Sequence, residues 1–160
     1  MEVIDNFLPN NVFEHIQGHV MSLGTAWLFQ SAVAYRNDDE TLDNYMHSHL
    51  AYSKNCPKSV LFEELMPLID QLNAKSVIRM LLNSYPYTPK LKIHADHKDY
   101  NYSHKGAILY LNTCDGYTYC EGEKIFSVAN RVLLHDPSKL HHSTTTTNQQ
   151  RRVICNVNYF

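Results

Sequence analysis

The chain has 160 residues, of which 44% are hydrophobic and 19% charged, and its formal net charge is −2. This length and balance predict one soluble globular domain with its own core and exclude an intrinsically disordered chain. The near-neutral charge argues against a surface built to bind nucleic acid or an anionic membrane.

The first half of the chain predicts a short strand and then helices. Residues 2–8 predict an opening strand, and apolar residues at helical spacing across 9–24 predict the first helix. The polar residues 36–55 predict a long loop with little regular structure. A second helix is expected after Pro57, and Pro67 should kink it or divide it in two.

From residue 76 onward, the apolar pattern changes to a period of two. The candidate strands are 77–84, 90–96, 106–112, 117–120, 124–127, 131–135 and 151–159. Two helices followed by closely spaced strands predict an α+β, mainly β fold with an antiparallel sandwich or barrel. We expect a single domain over residues 1–160, with a helical part at about 9–75 and a β core at about 76–160.

The last predicted strand, in RRVICNVNYF, has two different faces. One face is apolar and should pack on the helices; it consists of Val153, Cys155, Val157 and Tyr159. The other face is mostly polar, although the strand looks central; it consists of Arg152, Ile154, Asn156 and Asn158. We therefore expect this second face to line a wet pocket.

The segment KLKIHADHKDY, residues 90–100, suggests a metal site. His94 and Asp96 are two residues apart, so they lie on the same side of an extended chain. His97 points to the opposite side if the strand continues. A third ligand is available in His141, where a strand is predicted to meet a turn. Two imidazoles and one carboxylate leave open positions on the metal, an arrangement associated with non-haem iron(II) oxygenases.

Five pieces of the sequence, in order, resemble one enzyme family: VIDNFLP, HADH, ILYLN followed by DGYTY, SVANRVLLHDPSKLHH and RRVICNVNYF. This set resembles the 2-oxoglutarate and iron(II)-dependent dioxygenases, and within them the prolyl 4-hydroxylase-like branch. The resemblance implies a double-stranded β-helix (jelly-roll) core with the N-terminal helices packed on one sheet. It covers residues 77–160 well and the first 76 loosely. The chain departs from the family pattern at Asp115, usually glycine, and at His135, usually apolar or aromatic.

The resemblance also implies roles for individual residues. The iron(II) ligands would be His94, Asp96 and His141. A basic residue at the start of the last strand would bind the distal carboxylate of 2-oxoglutarate, because a guanidinium fork matches a carboxylate. Arg152 is the preferred candidate for this role, because Arg151 shares the apolar face of the strand with Val153. Tyr85 and Tyr110 are candidates to contact the co-substrate.

The implied activity is hydroxylation of an unactivated C–H bond by dioxygen, coupled to decarboxylation of 2-oxoglutarate to succinate, with ascorbate as a candidate reductant. The first candidate substrate is a prolyl peptide; small molecules and, less in keeping with the charge, nucleic acid bases are alternatives. A different class of function is a non-catalytic, cupin-like metal- or sugar-binding module. No nucleic acid or membrane partner is expected, and the oligomeric state stays open.

The remaining expectations concern the long loop and the other histidines. Residues 35–55 are expected to close over the metal as a lid, with His47 and His49 as candidate substrate contacts. Deleting residues 38–48 should then spare metal and co-substrate binding. His135 and His142 are expected to be structural.

The sequence predicts a cytoplasmic protein. No apolar run reaches the roughly 20 residues needed to span a bilayer. The start, MEVIDNFLPNN, lacks the basic and then apolar order of a signal peptide. The four cysteines form no CxxC pair and are expected to be free thiols.

Overall fold

In the computed structural model, which describes residues 1–33 and 44–160, helices cover one face of a large antiparallel sheet, and a small sheet faces its other side. The predicted α+β, mainly β class with a jelly-roll core is confirmed. The helices are α1 (Asn10–Met21), α2 (Leu61–Glu64) and α3 (Met66–Gln71). The strands are β1 (Glu2–Ile4), β2 (Leu28–Gln30), β3 (Met46–Ser53), β4 (Cys56–Pro57), β5 (Val77–Pro86), β6 (Lys105–Tyr110), β7 (Tyr117–Cys120), β8 (Glu123–Phe126), β9 (Arg131–His135), β10 (His141–Ser143) and β11 (Arg151–Tyr159).

The helices begin and end close to where the sequence predicts. Pro9 precedes α1, and its carbonyl accepts hydrogen bonds from the backbone N–H groups of Val12 and Phe13. The second predicted helix is divided at Leu65, and Pro67 occupies the first turn of α3, where its missing N–H costs nothing. None of the helices within 1–33 and 44–160 is both long and apolar enough to cross a bilayer.

The large sheet has the strand order β1-β9-β6-β11-β5-β3-β2, with β4 paired to β3, and the small sheet has the order β10-β7-β8. Strand β11 is central and pairs with β5 on one side and β6 on the other. Its apolar face packs in the core with the helices, as predicted, through Val153, Cys155, Val157 and Tyr159. Its other face points toward the small sheet.

The predicted long loop is partly a strand. Within residues 36–55, β3 pairs with β5 on one side and β2 on the other. Its Met46 and Ser48 are buried. The proposed lid therefore cannot include this strand, and deleting 38–48 would remove its first three residues. The rest of the proposed lid, up to residue 43, falls within 34–43, outside the described residues.

The predicted strand at 90–96 is also irregular. Only isolated bridges join this segment to the region of β10, at Ile93 with Thr144 and at His97 with His141. Between these two bridges, one segment advances four residues, from Ile93 to His97, whereas its partner advances only three, from His141 to Thr144. The one extra residue is the signature of a β-bulge. A bulge interrupts the alternation of side chains, so the strict two-residue rule fails between His94 and His97.

Candidate metal and ligand site

A cavity of about 250 Å³ lies between the two sheets. Its walls come from the inward faces of β5 and β11, from β7 and β10, and from residues 97–99. The lining side chains are Val33, Met46, Arg79, Leu81, Asn83, Tyr85, His97, Lys98, Asp99, Ile108, Thr118, His141, His142, Ser143, Ile154 and Asn156. A mixed apolar and polar wall of this kind is typical of a small-ligand site.

Three potential metal ligands meet at this cavity. One ligand atom each from His97, Asp99 and His141 lies within 4.8 Å of the other two. The backbones of the two histidines exchange hydrogen bonds, of 2.9 Å from the His97 N–H and 3.0 Å from the His141 N–H. This pairing places the two rings side by side, with centroids 4.5 Å apart. The arrangement is suited to a single ion.

A hydrogen bond to a backbone carbonyl orients each of the two imidazoles. Nδ1 of His97 lies 3.2 Å from the carbonyl of Ala95, and Nδ1 of His141 lies 3.0 Å from the carbonyl of Lys139. A carbonyl only accepts, so each Nδ1 carries the proton and each Nε2 presents its lone pair. Burial, helped by the neighbouring His141, lowers the pKa of His97, which keeps its ring in the neutral form that binds metals.

The carboxylate of Asp99 is held as an anion. Burial alone would raise its pKa, but Arg79 and then the hydrogen bond from Asn158 outweigh that effect, and the pKa lies below its ordinary value. Nη2 of Arg79 is 2.9 Å from Oδ1, and Nδ2 of Asn158 donates to Oδ2 at 2.8 Å. Each carboxylate oxygen still has a lone pair for a metal.

The structure does not group His94 and Asp96 with His141. The ring of His94 is buried and stacks on Tyr85 at 5.5 Å, and neither of its nitrogens has a hydrogen-bond partner among the described residues. Burial lowers the pKa of His94 to about 4. Asp96 is about half exposed and accepts a 2.7 Å hydrogen bond from Nδ1 of His142.

His97 and Asp99 of the trio belong to a second H-x-D element, whereas the sequence prediction chose the first. The segment HADHKD contains the element twice, once as His94-Ala95-Asp96 and again, three residues later, as His97-Lys98-Asp99. These two consecutive elements can be read directly from the sequence. The bulge between Ile93 and His97 then brings the second element, rather than the first, next to His141.

Arg152 is fully buried behind Ser143 and Thr118, two residues of the cavity wall. Its Nη1 donates to Ser143 Oγ and, at 3.2 Å, to the carbonyl of Thr144, and its Nη2 donates to Thr118 Oγ1 at 2.9 Å. Its Nε has no partner, and no acidic side chain of the described residues forms an ion pair with it. A buried cation surrounded by neutral groups is costly. The site therefore suits an anionic ligand that enters past Ser143 and Thr118, which line the cavity.

Arg151 lies on the predicted face of the last strand, and the two candidate tyrosines, Tyr85 and Tyr110, lie beside Arg152. Arg151 points to the helical side, where it donates to the carbonyl of Met21 and lies over the ring of Trp27. Tyr85 and Tyr110 are buried, and the guanidinium of Arg152 lies 5.3 and 5.5 Å from their ring centroids. Tyr85 lines the cavity, but Tyr110 is not among the lining residues.

The turn DGYTY makes room for Arg152. A side-chain carbon added at Gly116 would lie 2.6 Å from Cδ of Arg152 and 2.5 Å from the carbonyl oxygen of Thr145. Only glycine fits this close approach. The preceding Asp115 accepts hydrogen bonds from the Thr146 hydroxyl at 2.7 Å and the Thr147 N–H at 2.9 Å, so it anchors the loop that follows β10.

Four other histidines named in the sequence analysis lie in different surroundings. His135 is buried against the ring of His141, and burial lowers its pKa to about 3. His142 stacks on Tyr119. His49 uses both ring nitrogens, toward the carbonyl of Ala26 at 2.7 Å and the hydroxyl of Ser59 at 2.6 Å, so it is not free to contact a substrate. His47 lies on a separate surface groove.

The sequence matches no protein-family model and no curated protein. Solved structures do match. A prolyl hydroxylase from Trichoplax adhaerens, solved with a hypoxia-inducible factor peptide, is 16% identical with a TM-score of 0.68, covering 99% of this chain and 82% of that one. A prolyl-4-hydroxylase from Pseudomonas putida is 13% identical with a TM-score of 0.64, covering 99% and 91%.

A third match is HygX from Streptomyces hygroscopicus, solved with nickel and 2-oxoglutarate bound. It is 11% identical with a TM-score of 0.64, and the match covers 98% of this chain and 81% of that one. Identities this low establish shared architecture. The chain therefore has the fold of the 2-oxoglutarate and iron(II)-dependent oxygenases, a fold it shares with prolyl hydroxylases.

Proposed function

We propose that this protein is an iron(II) and 2-oxoglutarate-dependent dioxygenase that hydroxylates an unactivated C–H bond. One observation carries the proposal: the trio of His97, Asp99 and His141 lines a cavity whose wall residues Ser143 and Thr118 accept hydrogen bonds from the buried Arg152. The trio offers donors for a cation, and the buried guanidinium of Arg152 favours an anion. A metal chelated by a small dicarboxylate supplies both.

The donor set fits iron(II). Two neutral imidazoles and one carboxylate form the facial triad of non-haem iron oxygenases, and the trio contains no thiolate that would favour zinc or a cluster. His97, Asp99 and His141 would hold the ion and leave its remaining positions open. When bound, iron(II) and 2-oxoglutarate would supply the oxidation, in which 2-oxoglutarate loses carbon dioxide and takes up one oxygen atom of dioxygen to become succinate, while the other oxygen atom enters the substrate C–H bond.

Arg152 would bind the distal carboxylate of 2-oxoglutarate. Its hydrogen bonds to Ser143 and Thr118 fix the guanidinium plane, and Tyr85 and Tyr110 flank it. The apolar part of the cavity wall keeps stray water from the reacting groups. The side chains that form it are Val33, Met46, Leu81, Ile108 and Ile154.

The finer proposal is a prolyl 4-hydroxylase-like activity on a peptide. It is supported by the fold shared with the Trichoplax prolyl hydroxylase, which was solved with a peptide. The alternatives are an oxygenase acting on a small molecule and a non-catalytic, cupin-like module. Arg152 argues against the module, because simple metal binding has no use for a buried cation.

Calorimetry tests the class of function. With manganese(II) as a stand-in for iron(II), 2-oxoglutarate is expected to bind, and its affinity should depend on the metal because the co-substrate would bind the ion directly. The His141→Ala variant, which lacks a ligand, serves as the control. Metal binding without any metal-dependent binding of 2-oxoglutarate would favour the cupin-like module and defeat the proposal. Peptides and metabolites can then be screened with iron(II) and 2-oxoglutarate for the mass gain of one oxygen atom.

Gly116→Ala is expected to weaken 2-oxoglutarate binding by about tenfold or more. The added methyl group overlaps Cδ of Arg152, and overpacking of this kind costs about 1–3 kcal/mol, where 1.4 kcal/mol is tenfold. Manganese(II) affinity should change little, because the trio does not touch Gly116. Gly18→Ala is the matched control, since an added carbon there meets no atom within 4 Å. Equal 2-oxoglutarate affinity in both variants would contradict the placement of Arg152.

A further inference from the structure

We propose that His15, His19 and Glu64 form a second metal site, for a divalent ion such as Zn²⁺, on the helical side of the large sheet. One ligand atom from each lies within 4.8 Å of the other two. The helices cover the sheet face opposite the cavity, so this site is separate from the trio of His97, Asp99 and His141. The inference is independent of the proposed enzymatic function.

The two histidines are placed by the helix. His15 and His19 are four residues apart on α1, so their side chains lie one turn above the other on the same face. Their ring centroids are 4.4 Å apart. Two histidines at this spacing form a bidentate clamp, as in the helical zinc motif H-E-x-x-H.

Glu64, at the end of α2, completes the set. Its Oε2 is 2.7 Å from Nε2 of His15, and its Oε1 is 3.7 Å from Nδ1 of His19. Each carboxylate oxygen is thus directed at a different ring. One carboxylate and two imidazole nitrogens, with a water molecule, satisfy the tetrahedral geometry of Zn²⁺.

The ligand atoms lie close to the distances that a metal requires. Ligands about 2.0–2.1 Å from a tetrahedral ion are roughly 3.3 Å apart. The 2.7 Å contact between His15 and Glu64 therefore has to open slightly, and the 3.7 Å contact between His19 and Glu64 has to close slightly. The side chains are 57%, 45% and 33% exposed, so their rotamers have room to adjust. An ion at this point would cross-link α1 to α2.

The chemistry of the donors distinguishes the two sites. Both offer two imidazoles and a carboxylate, but the helical site is partly exposed and, among the described residues, has no buried cation beside it comparable to Arg152. We therefore expect the intrinsic affinity of each metal ion for these donors to decide which ion binds at the helical site. The Irving–Williams order favours Cu²⁺, Ni²⁺ and Zn²⁺ over Fe²⁺ and Mn²⁺.

Zinc calorimetry on chelator-treated protein tests the proposal. The wild-type chain is expected to bind one more Zn²⁺ than the His15→Ala/His19→Ala variant, whatever the number held by the cavity trio. The replaced side chains are largely exposed, so the variant should fold, which circular dichroism checks. Glu64→Gln should weaken this ion by about tenfold or more, judged from the cost of disturbing a metal site, whereas the neighbouring exposed Glu63→Gln should not.

Copper provides a readout that stoichiometry does not. In the His97→Ala/His141→Ala variant, Cu²⁺ should give an electron paramagnetic resonance spectrum with coupling to two imidazole nitrogens, and this coupling should disappear when His15 and His19 are also replaced. Identical zinc stoichiometry in the wild type and the His15→Ala/His19→Ala variant would overturn the proposal. If the cavity trio binds no metal, the wild type should bind one ion and the His15→Ala/His19→Ala variant none. Loss of metal binding at the cavity can therefore be distinguished from loss at the helical site.

Discussion

Replacing His97 by phenylalanine is expected to lower the affinity for manganese(II) by more than about 100-fold, because changes in groups that merely support metal ligands already cost 10–100-fold. The same replacement at His94, three residues earlier, should cost less than about tenfold. Phenylalanine keeps a planar ring and removes both nitrogens. At residue 94 it also preserves the stacking on Tyr85. Calorimetry with manganese(II) measures both variants.

The two aspartates provide a second matched pair. Asp99→Asn removes the anionic ligand of the trio and should abolish most manganese(II) binding, whereas Asp96→Asn alters a half-exposed carboxylate that contacts His142. Thermal unfolding serves as the control for folding, since Asp99 also pairs with Arg79. Loss of metal in the His94 and Asp96 variants, with retention in the other two, would restore the first H-x-D element as the metal ligands and shift the segment by three residues.

The sequence alone does not distinguish the two H-x-D elements. The residue types of His94-Ala95-Asp96 and His97-Lys98-Asp99 are equivalent as ligands, so no local pattern chooses between them. The choice depends on the bulge that forms against β10, about 45 residues later in the chain. Pairing over such a sequence distance is set by the whole fold and leaves little trace in either segment.

Strand β3 escapes sequence-based prediction for a related physical reason. Its residues MHSHLAYS contain two histidines and two serines, which obscure the alternation of buried and exposed positions. Ser48 is buried because β3 lies between β5 and β2, and not because its side chain is apolar. Strand propensity of this kind comes from neighbouring strands rather than from the residue itself.

Strand β11 is predictable because nine residues alternate between two faces of different polarity. An error of one residue would move every apolar side chain to the polar side. The alternation alone therefore places Arg152 on the inner face and Arg151 on the outer face. The Pro67 division of the second helix is predictable for an equally local reason, the missing N–H of proline.

Arg152→Met is expected to weaken 2-oxoglutarate binding by about 100-fold or more. Removing one partner of a buried ionic contact costs about 3–5 kcal/mol, and each 1.4 kcal/mol is tenfold. Arg151→Met should matter little for 2-oxoglutarate, because that side chain lies on the helical side beside Trp27. Calorimetry in the presence of manganese(II) measures both. A larger effect at Arg151 would mean that the register of β11 is wrong by one residue.

Stability measurements separate a ligand-binding role for Arg152 from a structural one. Without 2-oxoglutarate, the guanidinium is a fully buried cation whose partners are the neutral Ser143, Thr144 and Thr118. Replacing such a charge by an apolar side chain of similar length is often neutral or stabilising. The Tm of Arg152→Met without ligand should therefore equal or exceed that of the wild type, while the rise in Tm on adding 2-oxoglutarate and manganese(II) should be reduced. A large fall in Tm without ligand would show that Arg152 holds β11 to the small sheet and that its cost of burial is already offset within the protein.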